Sequence, residues 1–123
     1  MNPVVLVIED NEQNLYLMRF LLEKNGFTVV EAKDGEKGVE VAKETKPHLI
    51  LLDIQLPKMD GYAVARELRK NSELAGTPIV AVTSYAMVGD RERVLAAGAD
   101  GYIEKPIDPE KFIDQIKKYI HFG

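Results

Sequence analysis

The apolar residues of this chain fall into five short runs: Val4 to Ile8, Thr28 to Glu31, Leu49 to Leu52, Ile79 to Val82, and Tyr102 to Ile103 with its neighbours. Segments with helical spacing lie between them. Leu15, Met18 and Leu22 repeat at i, i+3 and i+7, Val64 and Leu68 are four apart, and Phe112, Ile113, Ile116 and Ile120 form one stripe near the end. The punctuation agrees with this alternation. Asp108-Pro109-Glu110 predicts a helix start, because Asp can accept from free N–H groups and Pro fits a first turn. Asp34-Gly35 and Asp60-Gly61 predict tight turns ahead of the second and third helices. Asn25-Gly26 and Gly98 suit left-handed helix ends, and Pro47 and Pro78 stop continuation just before strands.

The pattern is strand then helix, five times over, which predicts a parallel sheet covered on both faces. The first, third and fourth runs are nearly all apolar, as buried central strands should be; the second and fifth are mixed, as edges tend to be. Strand order 2-1-3-4-5 with right-handed crossovers satisfies this. The expected fold is therefore an α/β doubly wound three-layer sandwich of the flavodoxin-like arrangement. Its switch point lies between strands 1 and 3, so ligands are expected beyond the C-terminal ends of those strands.

Length and composition narrow the picture further. At 123 residues the chain reads as one domain, residues 1–123, large enough to bury a core without staples. It has no cysteine, which excludes disulfide scaffolds, zinc-thiolate sites and cysteine nucleophiles. Lys plus Arg is 16 and Asp plus Glu is 20, for a net charge of −4, a poor balance for gripping nucleic acid directly. The apolar stretch after Met1 is too short for a signal-peptide core or a membrane span, so no membrane association and a cytoplasmic location are expected. A chain that starts at Met1 and stops after the fifth helix leans toward a stand-alone protein.

Four strands end in a polar or charged residue at the same sheet edge: the first in Glu9-Asp10, the third in Asp53, the fourth in Thr83-Ser84 and the fifth in Lys105-Pro106. Singly, each has an ordinary explanation, since an Asp after a strand is usually a cap and a Lys is usually solvated. Together they mean something else. Three carboxylates at one edge stay ionised only if a cation neutralises them. An all-oxygen donor set favours a hard ion such as Mg²⁺. With the Lys105 charge and the Thr83 hydroxyl, the set can hold a phosphoryl group on a carboxylate, and central Asp53 is the best nucleophile candidate.

These residues carry a resemblance to the receiver domains of two-component response regulators. The matching segments are Ile8-Glu9-Asp10-Asn11, Leu51 to Pro57, Met59-Asp60-Gly61, Pro78 to Ser84, Gly98-Ala99 and Tyr102 to Pro106. They fall in order and span the domain almost end to end. Asp-Asn-Glu-Gln-Asn at 10–14 and Thr-Ser-Tyr-Ala-Met at 83–87 are most similar to single-domain regulators of the DivK type, and receivers of hybrid histidine kinases share them. The resemblance implies Asp53 as phosphoacceptor. It implies Mg²⁺ organised by Glu9 and Asp10, with the Asp10 and Asp53 carboxylates and the Gln55 backbone carbonyl as ligands. It implies Thr83 and Lys105 on the phosphoryl oxygens, and a cis peptide before Pro106. Thr83 and Tyr102 would form the switch, with helix 4, strand 5 and helix 5 as the readout surface. Gln55 and Tyr85 would flank the hydrolytic water, and bulky Tyr85 is expected to hinder it.

Partners follow from the same resemblance: a histidine kinase or histidine phosphotransfer protein as donor, a downstream effector protein, and a phosphorylation-dependent homodimer as an option. The first helix is apolar on more than one side, so Leu15, Met18 and Leu22 are expected to dock the donor. The plainer alternative is a helix merely well buried. His48 and His121 are expected to be structural or surface residues. No metabolite turnover is expected. The alternatives are a receiver excised from a hybrid kinase or larger regulator, a constitutive scaffold, a flavin-binding module, and a phosphatase of the haloacid dehalogenase type. The last needs a second Asp two residues after the nucleophile, where this chain has Gln55. Flavin binding would need a phosphate cradle where Glu9-Asp10-Asn11-Glu12 stands.

Overall fold

The computed structural model describes residues 2–56, 59–84 and 90–120. Strands and helices alternate as β1 (Val4–Ile8), α1 (Glu12–Lys24), β2 (Thr28–Ala32), α2 (Gly35–Thr45), β3 (Leu49–Asp53), α3 (Gly61–Lys70), β4 (Ile79–Thr83), α4 (Asp90–Ala97), β5 (Gly101–Glu104) and α5 (Phe112–Lys117). A single 3₁₀ turn, Ser72–Leu74, follows α3. The five strands form one parallel sheet in the order β2-β1-β3-β4-β5, as expected. Among the described residues, no helix is long and apolar enough to cross a membrane.

Period-two alternation along the strands builds two cores. Leu6, Ile8, Ile50, Leu52, Ile79 and Ala81 pack under α2, α3 and α4. Val5, Val7, Leu49, Leu51, Val80 and Val82 pack under α1 and α5. Such a side chain contributes about 1.5–3 kcal/mol when fully buried. Strands apolar on both faces can be satisfied only between two helical layers, which is why β1, β3 and β4 are central.

Three helices begin where a short acceptor side chain precedes them. Asn11, Asp34 and Asp60 accept from the backbone N–H groups of Asn14, Lys37 and Ala63. Gly26 and Gly98 have φ of 89° and 122°, the left-handed ends expected of them.

Three details differ from the sequence expectations. Strands β1 and β5 stop at Ile8 and Glu104, so Glu9, Asp10 and Lys105 stand just past the strand ends, whereas Asp53 and Thr83 close β3 and β4 as paired strand residues, as expected (Asp53 with Val82, Thr83 with Glu104). The regular part of α5 starts at Phe112, not at Pro109. Asp108 uses its side chain on Glu110 N and its carbonyl on Lys111 N and Phe112 N, closing a turn that leads into the helix. Leu15, Met18 and Leu22 cannot dock a partner: they are 5%, 1% and 0% exposed, packed with Leu21 against the sheet and α5. The exposed apolar residues of α1 are Tyr16 and Phe20, whose rings stack 6.4 Å apart.

At the N-terminal end of the sheet, Arg69 ties several elements together. Its guanidinium donates to the carbonyls of Gly98, Leu74 and Thr77 and to Asp100 Oδ2, which also accepts from Ile79 N. His48 is structural, as expected: its Nδ1 accepts from Val4 N at 3.0 Å.

One glycine bears directly on the C-terminal edge. A Cβ on Gly61 would overlap Ile54 Cα and stand 2.8 Å from Asp53 O, so the first turn of α3 packs on the end of β3 backbone to backbone. Gly61→Ala is therefore expected to destabilise the fold by about 2 kcal/mol or more, because backbone cannot rotate away from the added methyl as a side chain can. Urea unfolding measures this. A midpoint within error of the unsubstituted protein would contradict the close approach.

Candidate functional site

Because all five strands are parallel, their C-terminal ends share one edge, and side chains distant in sequence converge there. β1 ends at Ile8 and delivers Glu9 and Asp10. β3 ends in Asp53, β4 in Thr83, and Lys105 follows β5. Glu9, Asp53 and Thr83 are buried, at 0%, 3% and 2% exposure. Asp10 is exposed.

Backbone geometry holds the carboxylates in place. Glu9 N donates to Ala32 O, and Glu9 Oε2 accepts from Asn11 N at 3.2 Å. Asp53 Oδ1 accepts from Gln55 N at 3.0 Å. Beyond them, Ile54 N donates to Val82 O and Gly61 N to Ile54 O, which pins the residue after Asp53 on both sides. Lys105 N donates to Thr83 O at 2.8 Å, and the Lys105–Pro106 peptide is cis, as expected. Lys105 reaches across the sheet edge: its Nζ is 2.9 Å from Glu9 Oε1 and 3.4 Å from Asp53 Oδ1, with a side chain only 10% exposed.

The electrostatics are unbalanced. One oxygen each of Glu9, Asp10 and Asp53 lies within 4.8 Å of the others. Among the described residues, three ionised carboxylates against the Lys105 ammonium leave a net charge of −2 (three negative, one positive). Burial first, and then the neighbouring Glu9, push the Asp53 carboxyl up to about 6, against a smaller lowering by the Gln55 N–H and Lys105. Glu9 Oε1 is close to Lys105 but accepts no hydrogen bond of good geometry, so a buried acceptor keeps unused capacity. All three observations fit a hard divalent cation: oxygen-only donors, a matching charge deficit and an acceptor left over.

Of the residues expected at this site, the fold brings together Glu9, Asp10, Asp53, Thr83 and Lys105. Gln55 contributes its backbone N–H at the rim, with an exposed side chain. Tyr102 stands apart on β5, half-buried, with its hydroxyl 3.3 Å from Glu104 Oε1. Burial and Glu104 hold its phenol above the ordinary range. Tyr85 lies outside the described residues, as do His121 and Phe122. The direct Lys105–Glu9 pair was not foreseen. Nothing in the spacing of residues 9 and 105 signals it, because it depends on how far a lysine after an edge strand reaches back.

The response regulator receiver domain family matches residues 5–117 of this chain. Among curated proteins, the chain is 42% identical over 116 residues to the polar-differentiation response regulator DivK of Brucella anthropi, covering 94% of each. It is 42% identical over 120 residues to DivK of Brucella abortus, covering 98% of each. Among solved structures, it superposes with a TM-score of 0.89 and 32% identity on the receiver domain of a sensor histidine kinase from Pseudomonas aeruginosa PAO1, over 97% of this chain and 98% of that one. That receiver holds a magnesium ion in its active site cleft. The Vibrio cholerae chemotaxis protein CheY4 has the same fold, with a TM-score of 0.93 and 24% identity over 98% of this chain and all of that one.

A carboxyl whose folded-state pKa is raised stabilises the fold below its unfolded value, here 3.8, and loses that contribution as pH rises through about 6. Without divalent cation, Asp53→Asn is therefore expected to be more stable than the unsubstituted chain near pH 7.5. The gap should be on the order of 2–3 kcal/mol and close toward pH 4. Mg²⁺ should narrow it at neutral pH by supplying the missing charge. Denaturant curves across this range check it, and a gap that grew toward acid pH would contradict the electrostatic account.

Proposed function

The chain belongs to the response regulator receiver domain family, and from that premise we propose that it is a phosphorylation-controlled switch in which Asp53 accepts a phosphoryl group from a phosphohistidine. The observation that carries this reading is the buried Asp53 carboxylate at the end of a central strand, with Lys105 Nζ 3.4 Å away and Glu9 and Asp10 beside it. One carboxylate oxygen of Asp53 attacks the phosphorus. The P–N bond breaks, its electron pair stays on the donor imidazole, and an acyl phosphate forms on Asp53. Gln55 N–H orients the acceptor through Oδ1, and burial of Asp53 excludes competing water.

Asp10, Asp53 and the Gln55 carbonyl would hold Mg²⁺, with Glu9 organising them; when bound, it supplies positive charge for the phosphoryl oxygens. Magnesium in the similar Pseudomonas receiver supports this assignment. Lys105 then trades part of its pairing with Glu9 for the new anion, which requires only a small movement of an ammonium already between the two carboxylates. Thr83 donates its hydroxyl to a phosphoryl oxygen. Tyr102 follows Thr83 inward and changes the surface made by α4, β5 and α5, where an effector protein or a second phosphorylated copy binds. The donor is a histidine kinase or a histidine phosphotransfer protein, in the cytoplasm. The chain turns over no metabolite.

Incubation with a small-molecule phosphodonor and Mg²⁺, followed by intact-mass measurement, tests the reading. One added phosphoryl group is expected, absent in Asp53→Asn and in EDTA. Modification that survives Asp53→Asn would overturn it. Tyr85→Ala is expected to speed loss of the phosphoryl group severalfold, by about one order of magnitude at most, if the ring obstructs the hydrolytic water. An unchanged decay rate would dispose of that role.

A further inference from the structure

Between α3 and α4 lies chemistry that the phosphoryl site does not use. A cleft of about 300 Å³ opens there, lined by Asp60, Tyr62, Arg66, Arg93, Ala96 and Ala97. That volume is at the lower end of small-molecule sites. The Arg93 guanidinium sits 4.5 Å from the centroid of the Tyr62 ring, within cation–π range. The guanidinium lies over the ring, and Arg93 as a residue is exposed. Arg66 lines the same cleft from α3. Among the described residues, neither arginine enters an ion pair. Ala96 and Ala97 put no bulk into the space. Asp60 caps α3 through Oδ1, 2.8 Å from Ala63 N, and keeps its second oxygen as an acceptor.

The lining asks for three features in one ligand. Two unpaired guanidiniums suit a phosphate, which arginine grips through paired N–H groups. An exposed guanidinium backed by an aromatic ring suits a flat heterocycle. A carboxylate acceptor suits ring N–H groups. A wholly acidic peptide satisfies the arginines but meets the Asp60 charge. We propose that this cleft binds a purine nucleotide, with phosphate on Arg66, the base stacked on Arg93 and base N–H groups on Asp60. Asp60 belongs to the same β3–α3 connection that begins at Asp53, and Gly61 N holds Ile54 O at 2.9 Å. Occupancy and the acceptor site are thus linked through one short stretch of backbone.

Amide-resolved NMR titration of the full chain tests this, in EDTA so that no divalent cation bridges phosphate to the carboxylates around Asp53. The probes are GMP, AMP, guanosine and ribose 5-phosphate. Saturable binding of a nucleotide is expected, with shifts centred on Tyr62, Ala63, Ala96 and Ala97. Guanosine and ribose 5-phosphate should bind at least about ten-fold more weakly, since each lacks one charged or stacked contact. Arg66→Gln and Arg93→Gln should each weaken the nucleotide about ten-fold. Arg93→Lys keeps the charge but loses the planar stack, so it should weaken the nucleotide while leaving ribose 5-phosphate unchanged. The proposal is overturned by shifts centred elsewhere, by no saturation at millimolar nucleotide, or by ribose 5-phosphate binding as well as GMP. Displacement by a short oligoglutamate at similar concentration would assign the cleft to an acidic protein segment instead and overturn it too.

Discussion

Among the described residues, three carboxylates share one end of a parallel sheet with one ammonium, and the rest of the structure is organised around that imbalance. Glu9 and Asp53 are buried, and Asp10 stands at their side. Lys105 bridges the two buried groups, at 2.9 and 3.4 Å, but cannot balance all three. In ordinary solvent such a cluster would disperse. Here it is held by backbone: the Asn11 N–H on Glu9, the Gln55 N–H on Asp53, strand pairing on both sides of Ile8 and the pairing of Asp53 with Val82. The cost of burying Asp53 as an anion, with Glu9 beside it, appears as its raised carboxyl. It is relieved by a proton, a divalent cation, or rearrangement of Lys105, and a receiver that alternates between states can use each of these.

The fold creates this arrangement by requiring that strands apolar on both faces be covered on both faces. Parallel strands follow, their C-terminal ends fall together, and the residues just past the apolar runs meet at one edge. Gly61 completes the platform. With no side chain it lets α3 press against Ile54, so the strand end that carries Asp53 is backed by helix rather than by a yielding loop. Asp60, next to it, starts that helix and also lines the α3–α4 cleft.

Much of this was legible in the residues themselves. The apolar runs marked all five strands and their order, because burial on two faces leaves a simple signature in Val4 to Ile8, Leu49 to Leu52 and Ile79 to Val82. The edge residues Glu9, Asp10, Asp53, Thr83 and Lys105 followed from topology alone. What stayed hidden depends on side-chain reach and on helix rotation. The stripe Leu15, Met18 and Leu22 looked like an excess fit for docking, yet α1 turns that stripe into the core and leaves Tyr16 and Phe20 outside. Asp108 resembled an N-cap but closes a turn ahead of the regular helix at Phe112. The Lys105–Glu9 pair and the Arg93–Tyr62 stack join residues far apart in sequence, with no local spacing to announce them.

The central claim is that Asp53 is held short of positive charge until a cation arrives. Direct titration of its side-chain carboxyl by carbon-detected NMR, with and without Mg²⁺, tests that most closely. The account predicts a midpoint near 6 in the metal-free protein and a clear downward displacement when Mg²⁺ is added. A midpoint near the ordinary carboxyl value of 3.8, unmoved by Mg²⁺, would contradict it.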